Sequence, residues 1–243
     1  MTASPLPEPP KTLDVKRLAD NLPENWSILR QLIGDMGAAH SARSDLIIAA
    51  DLAGRLVEFQ ADRHNMSKEL AEDTGIAFLF ATVILYARAT KSKSNHRKSF
   101  DLRAKMEPQE LEAHRLICEL RDDAIAHYGP GKIVAGMQIR EDHMFLVDGT
   151  QLLFASRNLA GSRSLAELIH RQTQRALLLM QRVHDQRESE LIDYLNEHGD
   201  QFVRSGLWKS AMVDLVEAVG SEMAAQLNAL PRVGKHRLSD STS

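Results

Sequence analysis

Thr74-Gly75-Ile76-Ala77-Phe78-Leu79-Phe80-Ala81-Thr82-Val83-Ile84-Leu85-Tyr86-Ala87 is the most apolar stretch of the chain. Its core, Ile76 to Ala87, is too short to span a bilayer, which takes about 20 apolar residues. It is apolar nearly all round, as a helix enclosed by other helices must be. The expectation is a buried central helix from about Thr74 to Ala89 inside a mainly α bundle, with no membrane segment.

The flanking sequence extends that reading. Upstream, apolar positions recur at helical spacing from Leu13 to about Ala39 (Trp26, Leu29, Leu32, Ile33). A second helix is expected from Ala42 to Arg63, with Leu46, Ala50, Leu56 and Phe59 inward. Downstream, Pro108 suits a first helical position, and Glu107, Glu110 and Glu112 favour the positive end of the dipole. The stripe Ala113, Leu116, Ile117, Leu120, Ala124 then runs to Gly129-Pro130-Gly131, which ends the helix. From 132 to 157 the period changes to two and Asp148-Gly149 signals a hairpin, so a small β-meander insertion is predicted. Ser164-Leu165-Ala166-Glu167 reads as a capping box that opens a long helix to about Leu195. A last helix covers about 210–230. Residues 1–11 are a Pro-rich lead and 231–243 a polar tail, both read as disordered. No repeat or linker divides 12–230, which is taken as a single helical domain.

Composition agrees with long helices. Aromatic residues are only 5% of the 243, and Gly and Pro are sparse, a profile that suits helices better than a β-sandwich. The net charge of −3 confines any nucleic-acid site to a local patch. The single cysteine, Cys118, excludes an internal disulfide and a cysteine metal cluster, and fits a reduced, cytoplasmic setting. The N-terminus lacks the layout of a signal peptide.

Two features carry chemistry. Between Arg88 and Lys105 the chain is basic, with Lys91, Lys93, His96, Arg97, Lys98 and Arg103 against one acid, Asp101. Such a run can track an RNA backbone; it can equally be a solvated helix end and loop. The second feature is Arg121-Asp122-Asp123-Ala124-Ile125-Ala126-His127-Tyr128 at the end of a helix. Self-cleavage of RNA through its 2′-OH needs a base, an acid and positive charge on the phosphate. Histidine fills either proton role near neutral pH, and the forked guanidinium of arginine matches phosphate.

Arg121 and His127, with the polar Asp122 after the arginine, resemble the Arg-x(4–6)-His motif of the HEPN superfamily, whose members are helical bundles and in many cases metal-independent RNases of toxin–antitoxin and phage-defence systems. The resemblance covers about 12–130 and the return helices; the β-insertion and long C-terminal helices lie outside the family's minimal core. It implies a metal-independent endoribonuclease without cofactor, with Arg121, Asp122 and His127 catalytic and two copies of the motif meeting across a homodimer. RNA and a cognate antitoxin protein would be the partners. It also admits a non-catalytic module that binds nucleotide, RNA or a partner protein. Without the resemblance, Arg121-Asp122-Asp123 is a solvated charge cluster and His127 a residue that complements the helix dipole.

Other candidates carry less. His114, one heptad before Arg121, reads as a surface histidine on the same stripe. Glu167 and His170 match one half of a di-iron site, but the second half is missing. Cys118 reads as a small buried thiol. Gly129-Pro130-Gly131 is not followed by Lys-Ser/Thr, so it is no P-loop.

Overall fold

In a computed structural model, the structure describes residues 11–91, 100–125, 133–134, 137–138, 140–147, 151–158 and 162–229. Most of the expected lead and all of the expected tail lie outside them. The chain is mainly α. Its contacts gather into two units, one of residues 34–193 and one of residues 1–33 with 194–243.

In the larger unit the apolar stretch forms helix α3, Lys68–Thr90. It starts before Thr74 because Ser67 caps it, its Oγ accepting from the Leu70 N–H at 3.3 Å. Leu79, Val83, Tyr86 and Ala89 are buried, but Ala77 and Ile84 face outward, so the helix is enclosed on one side rather than all round. Asp73–Thr90 is the one described helical stretch with the length and hydropathy of a membrane crossing, and 44% of it is buried within the structure.

Helix α2, Ser27–Asp62, is continuous where two helices were predicted. No proline interrupts it, and a helical glycine such as Gly37 costs only about 1 kcal/mol against alanine. The stripe Ala39, Ala42, Leu46, Ala49, Ala53, Leu56 stays buried across the expected break at 40–41. Helix α4, Pro108–Glu119, begins as read, and the Glu107 N–H donates to Glu110 Oε2 at 2.9 Å. Past Glu119 the chain widens into a π-helical turn, Leu120–Ile125. Helix α5, Arg163–Ser205, outlasts its expected end at Leu195. Its cap is Ser162, not Ser164: Ser162 Oγ accepts from the Leu165 N–H at 3.2 Å, while Glu167 turns to Arg163. The core joins α2, α3, α4 and α5 through Leu46, Leu56, Leu79, Val83, Ile117, Leu120, Ile169 and Met180, each side chain worth about 1.5–3 kcal/mol in burial.

The β insertion takes the form of two antiparallel pairs. Strand β2 (Ile133–Val134) pairs with β3 (Met137–Gln138), and β4 (Arg140–Val147) with β5 (Gln151–Asn158). The second closes at Val147↔Gln151, on either side of the predicted Asp148-Gly149 turn.

In the smaller unit, strand β1 (Lys11–Leu13) pairs with β6 (Met212–Asp214), and Asp14 caps helix α1, Val15–Asn21. Trp26 meets Phe202 edge-to-face at 5.8 Å. The helix expected over 210–230 is two, α6 (Leu215–Val219) and α7 (Ser221–Ala229). Asp214 caps the first, and Gly220 separates them at φ +82°, a conformation glycine adopts without strain.

Candidate functional site

Leu120 is fully buried and anchors the π-helical turn in the core of the larger unit, which leaves the next two side chains, Arg121 and Asp122, partly exposed. A π turn displaces side chains from their α-helical positions and is frequent at functional sites. Here Asp122 meets two cations. Arg121 Nη1 donates to its Oδ1 at 2.8 Å, and Lys91 Nζ, from the C-terminal end of α3, donates to its Oδ2. The hydrogen bonds from Lys91 and then Arg121 hold the Asp122 carboxyl below the usual carboxylate range. The cluster carries one net positive charge, with a carboxylate seated between two cationic side chains.

Next to it opens a cleft of about 800 Å³, bordered by Lys91, Phe100, Arg103, His114, Arg115 and Asp122. Arg103 is bidentate to Asp101, with Nε–Oδ1 at 2.8 Å and Nη2–Oδ2 at 3.0 Å. His114 corrects the sequence reading: it is buried, with 6% of its surface exposed, because its position on α4 turns toward α3. Its Nδ1 lies 3.0 Å from Tyr86 Oη, and Gln172 Nε2 donates to the same hydroxyl at 3.1 Å. With its oxygen accepting from Gln172, the Tyr86 O–H finds an acceptor in His114 Nδ1 when that nitrogen is the unprotonated one. In that tautomer the imidazole proton sits on Nε2, 3.7 Å from Cys118 Sγ. Burial, with the Arg103 and Lys91 charges acting against the partial relief from Asp101, pushes His114 below the ordinary histidine value. Burial likewise raises the Tyr86 hydroxyl, and it lifts the Cys118 thiol to about 11, so the sulfur stays a neutral thiol.

Of the predicted residues, the structure brings Lys91, Arg121 and Asp122 together and sets Arg103 on the same cleft. His127, Lys93, His96, Arg97 and Lys98 lie outside the described residues. Arg88, the first cation of the basic run, points elsewhere: its Nε donates to Asp45 at 2.8 Å. Sequence reasoning missed Tyr86, Gln172 and Arg115. A polar tip inside the most apolar helix was the available signal for Tyr86. Glu167 is paired with Arg163, and Gln174 Nε2 lies 2.9 Å from His170 Nε2. Among the described residues, His184, Asp185 and Glu188 offer ligand atoms within 4.8 Å of one another, but both carboxylates are exposed on the surface of α5, a common state for helix acids. Compared with protein families, with curated proteins and with solved structures, the chain finds no match.

Proposed function

We propose that the chain is a HEPN-like, metal-independent endoribonuclease of the cytoplasm, of the toxin–antitoxin or phage-defence kind. The observation that carries this reading is Asp122 held between Arg121 and Lys91, at the helix end where the Arg-x(5)-His spacing begins. Two cations that share a carboxylate are also placed to share a phosphate. Arg121 binds the scissile phosphate and its developing charge, His127 moves protons, and Asp122 orients Arg121 until RNA replaces it as partner. Lys91 and Arg103, with the basic segment between them, guide the strand. One histidine cannot serve as base and acid on opposite sides of a phosphate in one step, so the working form is a homodimer that pairs two motifs. A cognate antitoxin protein would cover that groove.

The test is incubation of the purified chain with RNA in EDTA. Cleavage that leaves a 2′,3′-cyclic phosphate, lost in His127→Ala and on RNA without the attacking 2′-OH, is the expected result. Inhibition by EDTA, equal cutting of DNA, or full activity of a light-scattering monomer overturns it. A second reading, a non-catalytic RNA- or nucleotide-binding module of the same family, is favoured by the same geometry, since Asp122 already pairs with both cations in the ground state. It predicts RNA binding without product.

A further inference from the structure

A buried polar chain across a helical core is costly unless every member is satisfied. Gln172, Tyr86 and His114 are linked by hydrogen bonds of 3.1 and 3.0 Å. The chain ends, however, on a donor with a poor acceptor. In the tautomer that accepts from Tyr86, the His114 N–H on Nε2 meets, among the described residues, the Cys118 thiol at 3.7 Å, and a thiol sulfur accepts weakly. Both groups lie on the wall of the cleft that Asp122 borders. Phe100 stands half-buried on the same cleft, and the exposed Arg115 lies one position after His114. A planar ring, a fixed neutral donor and a cation beside a phosphate-binding pair match the parts of one RNA nucleotide.

We propose that this cleft is a nucleobase subsite selective for keto bases, and that His114 is the residue that reads them. The inference rests on the RNA reading of the Arg121–Asp122 cluster. A fixed N–H is complementary to a carbonyl oxygen, O4 of uracil or O6 of guanine. At the same place cytosine and adenine present an amino group, so donor meets donor. Tyr86 and Gln172 act as positioning residues, because they decide which imidazole nitrogen carries the proton.

Fluorescence anisotropy of the full chain with homopolymeric 2′-O-methyl oligouridylate and oligocytidylate tests this without cleavage, since the attacking hydroxyl is blocked. Uridylate should bind about tenfold tighter, the worth of one well-made hydrogen bond with its repulsive alternative removed. Tyr86→Phe, which keeps the ring and frees the tautomer, should erase most of that ratio, while Arg115→Ala weakens both ligands equally. A merely structural role for the relay would leave the ratio unchanged in Tyr86→Phe, and that result, or equal binding of the two oligomers by the wild type, overturns the proposal. Discrimination without RNA cleavage would sink the nuclease reading and keep the subsite; cleavage without discrimination would do the reverse.

Discussion

Two polar clusters at the end of α3 obey opposite rules. Lys91, Arg121 and Asp122 are charged and in reach of water. Tyr86, His114 and Gln172, a turn away, are neutral and buried. Exposed ion pairs add little to stability because water and salt screen them, so their partners can be exchanged for a ligand at small cost. A buried hydrogen-bond chain is the reverse: breaking one member strands the next in a dry core. The first cluster is therefore free to exchange its partners for a ligand, and the second keeps its geometry as long as the core around it is intact.

Arg121→Ala should break the comparison hardest on the functional side. Cleavage should fall by about 10²–10³-fold, the loss seen when a transition-state donor is removed. Unfolding free energy should change by no more than about 0.5 kcal/mol, as at other exposed positions. Kinetics and urea denaturation on the same preparation check both halves. A matching loss of stability would show that the arginine is structural.

His114→Ala should do the opposite. It leaves a cavity and an unpaired Tyr86 hydroxyl, and should cost about 2–4 kcal/mol in urea or thermal unfolding. Stability within about 0.5 kcal/mol of wild type would place His114 among ordinary surface residues.

A smaller effect separates Lys91 from both. Lys91→Ala should weaken RNA binding by about tenfold or less and lower the slope of log affinity against log salt by about 0.7, the share of one phosphate contact on a single strand. An unchanged slope would remove Lys91 from the RNA path.

The mildest signature is pH. His114 sits below its ordinary value, facing Arg103, Lys91 and Asp101. Above about 6.5 neither folded nor unfolded chain protonates it, and it contributes no pH dependence. Below that, the unfolded chain takes up a proton that the folded chain refuses, so stability declines. Asp122 is lowered, so its contribution is present above about 3.9 and is lost as the pH falls further. Thermal unfolding from pH 8 downward should therefore begin to weaken near the histidine value, and His114→Gln should remove that first limb while Asp122→Asn flattens only the acid one.

Much of the fold could be read residue by residue. Pro108 starts α4, the pairing around Asp148-Gly149 forms, and the apolar run of α3 lies in the core. The misreadings have local causes. The predicted gap at 40–41 assumed a break that no proline enforces, and Ser162 outcompeted Ser164 as a cap because its Oγ and carbonyl both face the first turn of α5. For the site, Arg121, Asp122, Lys91 and Arg103 were legible as charges in a row, while the direction of each was not. Arg88 belongs to the same run and bonds Asp45 instead.

The sequence by itself determined what depends on neighbours along the chain: helical period, helix starts, and a cationic stretch close to an Arg-x(5)-His spacing. Only the tertiary structure decided that Lys91 and Arg121 share Asp122, and that buried His114 faces Tyr86, whose hydroxyl Gln172 also bonds. Those outcomes join residues 28 to 86 positions apart in some pairs and depend on which face of each helix the core claims. Period and propensity fix a helix but leave its rotation about its own axis to packing, and it was that rotation that buried one histidine and left Lys91 and Asp122 on the rim of a cleft.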